Sequence, residues 1–360
     1  MRICSLVVPA GFSIFFLLFP IARAETPLAP ALYVFGDSLV DSGNNNLLPT
    51  IAKADFLPYG KDFPGGVTGR FTDGKTVADF VAELLGLPYA PPYLSLLKHN
   101  ILTGWNYASG SCGILPETGA QFGKCLNLDN QIDLFQKTIR RDMKRQFNSL
   151  NELSDYLAKS IFLVSIGSND YIINYLEHDL CNISRIYSPQ AFAQHLTDRL
   201  SGCFKRLYES GARRIVMFEI GPIGCMPIFT RKLKPRGPCV EEFNQLVSYF
   251  NSELSEMLKG LTTSLQGATF VLAQINKLAY DAITNPSKYG LTDGTNPCCI
   301  AGIDGTWPCI PSLSSCPNPD QHFFWDAFHP TQAAYSLIST RCFEHPSPCF
   351  PTNIQQLVQV

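Results

Sequence analysis

The chain has no basic patch to speak of. Lys and Arg number 28 against 30 Asp and Glu, the net charge is −2, and only 16% of residues are charged. The one dense run of cations, "RRDMKR" at residues 140–145, reads as the solvated face of a helix. Nucleic acid is therefore not an expected partner. Past the first two dozen residues, no apolar run reaches the ~20 residues of a membrane-spanning helix, so no transmembrane span is expected. No Lys-Asp-Glu-Leu retention signal closes the chain, which ends "LVQV". Paired C-x-x-C spacing is missing too. Cys298, Cys299, Cys309 and Cys316 cluster near His322 without making a zinc pattern, and no metal or cofactor is implied. Neither an internal repeat nor a low-complexity linker interrupts the chain.

What is present points to export. Residues 1–24 carry Arg2, then an almost wholly apolar stretch over 6–21, then Ala22-Arg23-Ala24. This is the pattern of a secretory leader cleaved before Glu25. The apolar stretch is short for a membrane anchor, the competing reading. Of 13 cysteines, Cys4 falls in the leader, and an even number remains, as expected of a disulfide-bonded secreted chain. Their connectivity cannot be deduced from spacing. Asn182-Ile183-Ser184 is a glycosylation sequon and marks Asn182 as a glycan acceptor in a surface loop.

Residues 25–360 read as one domain. Strand candidates at 31–35, 161–166, 214–220 and 269–275 are apolar-rich without a clean period of two, as strands covered on both faces are. Between them lie helical patterns. One begins at Pro189 behind Ser188, carries Phe192, Leu196, Leu200, Cys203, Phe204 and Leu207 on one stripe, and stops at Ser210-Gly211. Another spans 240–258 with Phe243, Val247, Phe250 and Leu254 on one face. Shorter candidates lie at 76–85 and 129–137. Alternating strands and helices imply an α/β fold with a parallel sheet, with ligands bound beyond the carboxyl ends of the strands. The Pro- and Cys-rich stretch 285–319 reads as a long stapled loop.

Four stretches carry candidate chemistry. "YVFGDSLVDSGNNN" (33–46) leaves the first strand through Gly36 and Asp37 into Ser38, without the Gly-x-Ser-x-Gly elbow of many ester hydrolases. "WDAFHPT" places Asp326 three residues before His329, so that the carboxylate can hold Nδ1 and leave Nε2 to act as a base toward a serine. The same stretch also reads as an Asp cap before a Pro turn, with Pro330 opening the last helix. "NYASGSCGIL" offers the unhindered Gly110 N–H, and "SIGSNDYI" puts Asn169 after the second strand. Both suit oxyanion donors, although a turn glycine and a helix cap would look the same. His195 sits on an apolar helix stripe and reads as structural.

In this order, the four stretches resemble the blocks of the SGNH hydrolase superfamily, specifically the plant GDSL esterase/lipase family. The likeness extends to "RFTDGKTVADFVAELLGLP", "GPIGCMP" and "NIQQL". It implies a flavodoxin-like three-layer α/β/α sandwich on a mostly parallel five-stranded sheet. It implies Ser38, Asp326 and His329 as the catalytic triad, and Ser38, Gly110 and Asn169 as the oxyanion hole. Asp37 matches a structural Asp of the family, while Ser111 and Cys112 depart from its commoner Gly-Ala. Ser38 would top the first strand and open a helix whose N-terminal N–H groups face the oxyanion. The implied activity is hydrolysis of carboxylic esters in the cell wall or apoplast, on a lipid, a cutin-like polyester or an acetylated sugar. A carbohydrate deacetylase, an acyltransferase and an idle binding protein are the alternatives. The oligomeric state is not legible.

Overall fold

The computed structural model describes residues 26–95, 99–176, 183–302 and 304–359. The leader and Asn182 lie outside the described residues. Four strands form where apolar runs were read: β1 (Leu32–Gly36), β2 (Ile161–Ser165), β3 (Arg214–Phe218) and β4 (Thr269–Ala273). They pair side by side in that order, all parallel. Residues 105–109 run along the outer side of β1, with Val34 N–H donating to Trp105 O at 2.9 Å and Tyr107 N–H to Val34 O at 2.8 Å. The fifth strand is the two-residue Cys349–Phe350, antiparallel to β4 and joined to the preceding helix by the Cys342–Cys349 disulfide. Sequence periodicity cannot reveal so short a strand. Both edges carry prolines. Pro91 O accepts from Asn106 N–H, and Pro348 and Pro351 flank Cys349–Phe350.

Alternation along the strands divides the core. Tyr33, Phe35, Phe162, Val164, Ile215 and Met217 face one way, among residues of the helices Leu128–Arg141, Leu150–Lys159, Pro189–Glu209 and Glu241–Ser264. Leu32, Val34, Ile161, Leu163, Val216 and Phe218 face the other, among residues of Val77–Leu84, Gln332–Glu344 and Ile354–Leu357. Neither face of β1 or β2 meets water, which is why those runs lack a period of two. The result is a three-layer α/β/α sandwich. The Pro189 helix starts behind the Ser188 cap as expected. The cationic run 140–145 does not form one helix face. Its helix ends at Arg141, and a 3₁₀ turn over Met143–Arg145 buries Met143 between exposed charges.

Among the described residues five disulfides are formed: 112–125, 225–239, 298–316, 299–309 and 342–349. Two of them staple the long loop after the short strand Asp293–Pro297. Among the described residues Cys203 is the free cysteine, and burial pushes its thiol up to about 12. Also among the described residues, no helix is long and apolar enough to cross a membrane, and no cluster of His, Cys, Asp or Glu could hold a metal.

Candidate active site

The site is built where β1 ends. Gly36 sits at φ +153, and a Cβ there would lie 2.1 Å from the Ser165 carbonyl oxygen of β2. Only glycine allows that approach, and the same carbonyl then accepts the Asp37 N–H at 3.1 Å. Asp37 O next accepts from both Val40 N–H (3.2 Å) and Asp41 N–H (3.0 Å), closing a single turn that carries Ser38. No helix follows. Asp41 Oδ1 accepts from Gly43 and Asn44 N–H at 2.7 and 2.8 Å, and the chain passes into a 3₁₀ turn over Asn44–Leu47. The expected helix start behind Ser38 is thus absent, because a side-chain carboxylate captures the N–H groups that a helix would have used.

His329 arrives from the loop before Gln332–Glu344, whose cap is Thr331. Pro330 therefore lies before the cap and does not open the helix. His329 Nε2 is 2.8 Å from Ser38 Oγ, and Nδ1 is 2.9 and 2.8 Å from the two oxygens of Asp326. Asp326 is fully buried, while Ser38 and His329 each keep 8% exposure. Asp326 Oδ1 also accepts from Phe328 N–H (2.8 Å) and His329 N–H (2.7 Å), which fixes the turn. Asp320, nearby in sequence, lies exposed on a 3₁₀ turn.

Asn169 stands after β2, beside β1, in the first turn of a helical segment that continues as the π-helix Asp170–Leu176. It is no cap. Its Nδ2 donates to Cys112 O at 2.9 Å, which leaves the amide's second N–H for another acceptor. Asp170 performs the anchoring, accepting from Ile114 N–H (2.9 Å), Leu115 N–H (3.0 Å) and Thr118 Oγ1 (2.7 Å). Gly110 lies on the opposite side of β1. Its N–H donates to Asp41 Oδ2 at 3.1 Å and is not idle. The Ser38 N–H has no acceptor among the described residues. Ser111, at φ +66, adopts a left-handed backbone that a glycine would take without strain.

Burial dominates the electrostatics. It pushes Asp37 up to about 7, against one hydrogen bond from Leu39 N–H at 3.0 Å, and Asp37 Oδ2 has no partner among the described residues. Asp41 and Asp170 are each pushed up to about 6 by burial, against the N–H donors they hold. Beside the site lies an apolar cavity of about 70 Å³, walled by Leu39, Phe218, Met226, Phe328, Pro330 and Tyr335. Asp41, Asp170 and Tyr59, whose O–H reaches Asp326, were not singled out in the sequence. Asp41 and Asp170 each follow a block residue closely, which is the one signal that could have flagged them. Tyr59 has none, since its partner lies 267 residues away.

Comparison with known proteins gives the family. The model of the GDSL-like lipase/acylhydrolase family matches residues 32–341. The chain is 43% identical to GDSL esterase/lipase 7 of Arabidopsis thaliana over 345 residues, 94% of each chain. It is 40% identical to GDSL esterase/lipase At5g08460 of the same plant over 361 residues, covering 95% of this chain and 92% of the relative. Among solved structures, phospholipase A1 from Streptomyces albidoflavus NA297 is a distant likeness at 14% identity and a TM-score of 0.41, covering 87% of this chain and 98% of that one. A parallel-sheet sandwich and sequence matches over nearly the whole length lead to one assignment: the chain belongs to the GDSL esterase/lipase family and is a hydrolase of carboxylic esters.

Proposed function

We propose that the chain is a secreted esterase acting on lipid or other acyl esters through a Ser38 acyl-enzyme. The observation that carries the reading is the unbroken chain Ser38 Oγ–His329 Nε2, His329 Nδ1–Asp326, with contacts of 2.8 to 2.9 Å. His329 takes the Ser38 proton as Oγ attacks the ester carbonyl, and Asp326 holds the imidazolium that forms. The oxyanion is met by the Ser38 N–H and the second N–H of Asn169 Nδ2. Gly110 N–H is shared with a carboxylate that competes for the same proton, so it is the weakest of the three donors. The alcohol leaves with the proton from His329, and water repeats the steps on the acyl-enzyme. The side chains beside the triad, Leu39 and Phe328 among them, are apolar and favour an apolar acyl group over a sugar. The apolar leader and the disulfides support export, with residues 25–360 as one mature domain and Asn182 as its glycan site.

A fluorophosphonate probe tests the reading. Wild type should be labelled and Ser38→Ala not. Asp326→Asn should lower kcat by up to roughly 10⁴, the loss known for a serine protease triad, whereas Asp320→Asn should leave it unchanged. Labelling of Ser38→Ala at the wild-type rate, or a larger loss from Asp320→Asn, would overturn it.

A further inference from the structure

We infer that Tyr59 is a positioning residue of this site, fixing the Asp326 carboxylate through its phenol while the disulfide-stapled loop holds that phenol from behind. The inference rests on the acyl-enzyme reading above. Tyr59 is fully buried, and its Oη lies 2.5 Å from Asp326 Oδ2. The same Oη accepts the Cys309 N–H at 3.1 Å. A phenol oxygen has a single proton, and a backbone N–H can only donate. The direction of both bonds is therefore fixed: Cys309 N–H donates to Tyr59 Oη, and Tyr59 O–H donates to Asp326. Burial, and then the Asp326 charge, push the phenol well above its ordinary value, so the proton stays in place.

Tyr59 completes a set of restraints that the turn itself leaves open. Asp326 Oδ1 is pinned by the Phe328 and His329 N–H groups. Among the described residues, Oδ2 has only His329 Nδ1 and Tyr59. Without the phenol, the carboxylate is fixed by the backbone at Oδ1 alone, and at Oδ2 the imidazole it must orient is its one remaining partner among the described residues. The ring is held as well. It packs edge-on against Phe56, Phe71 and Trp325, at centroid distances of 5.3, 6.1 and 6.5 Å. Phe71 lies in turn 5.2 Å from the His329 ring. Behind the phenol, Cys309 is bonded to Cys299, whose N–H donates to Trp325 O at 2.8 Å, one residue before Asp326. The stapled loop thus grips both the carboxylate's own loop and the group that orients the carboxylate.

A donor on Oδ2 also sets how strongly Asp326 pulls on the imidazolium. Removing it leaves more of the carboxylate charge for His329, so the imidazolium persists to higher pH. The acid limb of kcat/KM then moves up. The other ionisable groups around the pair are Asp37, Asp73, Tyr335 and, over the Trp325 ring at 6.0 Å, Lys61. All are unchanged by substitution at Tyr59, so a paired comparison isolates the phenol.

The test is Tyr59→Phe in the full-length enzyme, with a soluble ester as substrate. A hydrogen bond to a buried charge corresponds to roughly a 10–100-fold fall in kcat when removed. KM should hold and the acid limb should rise. A residue that merely fills space would lower thermal stability without moving that limb. Fluorinated tyrosines at position 59 keep the volume and guard against a Tyr59→Phe protein that does not fold. The stronger the phenol acid, the lower the acid limb should fall. A Tyr59→Phe enzyme with wild-type kcat and acid limb, or a fluorotyrosine series with a constant limb, overturns the inference. Ser38→Ala, run alongside, reports separately on the acyl-enzyme reading.

Discussion

Replacing Gly36 by alanine would add one carbon where β1 and β2 touch. The new Cβ would lie 2.1 Å from Ser165 O and 2.7 Å from Val40 Cγ2, where about 3.5 Å is comfortable. The end of the strand pair must then part by about 1 Å or more. The Asp37 N–H bond to Ser165 O (3.1 Å) goes first. The two bonds that clasp Gly36 to the Gln131 side chain, both 2.8 Å, weaken with it. Two or three hydrogen bonds at about 1 kcal/mol each, plus about 1–3 kcal/mol for a non-glycine residue at φ +153, give roughly 3–6 kcal/mol. Domains have about 5–15 kcal/mol in total, so the variant should be marginal. With a urea slope of about 3 kcal/mol/M, the unfolding midpoint should drop by roughly 1–2 M. Fluorophosphonate labelling of the folded fraction should slow too, because Ser38 is two residues from the displaced carbon. Gly66→Ala is the control, since its φ is +69 but nothing lies within 4 Å, and it should cost only about 1–2 kcal/mol. If Gly36→Ala unfolds at the wild-type midpoint, the close approach of β1 and β2 does not govern this turn.

Two further predictions concern polar side chains around the turn. Asn169→Ala should lose about 10²–10³ in kcat with KM retained, for want of one oxyanion donor. Its stability should fall by only about 1 kcal/mol, for the lost bond to Cys112 O. Asn169→Asp should be at least as slow, and an Asn169→Asp enzyme with wild-type kcat would remove Asn169 from the oxyanion hole. Asp37 is raised from 3.8 to about 7 in the folded protein. Its contribution is therefore fully present below about 3.8 and is lost as pH rises through about 7. That difference is worth up to about 4 kcal/mol. Asp37→Asn should accordingly gain on wild type in thermal unfolding as pH rises from 5 to 8, and a constant gap between the two proteins would refute it.

Much of the frame was legible because its signals are local. The four parallel strands are uninterrupted apolar runs, and the Ser188 cap and Pro189 mark one helix start unambiguously. The Asp326–His329 pairing needs only a turn of three residues. What escaped depends on distant partners or on competition. The turn at Ser38 looked like a helix start until the Asp41 carboxylate took the N–H groups of Gly43 and Asn44. Gly110 looked like a free donor because the group that holds it lies 69 residues earlier. For Asn169 the sequence allows a cap as well as an oxyanion donor, and what separates the two is an amide that crosses to Cys112, 57 residues before it. The strand Cys349–Phe350 is too short for any periodicity.

The margins of the sheet bear on how the molecule behaves when crowded. A strand with free N–H and C=O groups along its outer side is a template on which another chain can zip. Here β4 is closed by two residues set between Pro348 and Pro351 and bonded through Cys349 to the neighbouring helix. At the other margin, residues 105–109 are met by the Pro91-Pro92 stretch. Proline has no N–H to offer an incoming strand. Each margin therefore ends in a short, bent piece that resists extension, and copies of the molecule have little backbone with which to join sheet to sheet.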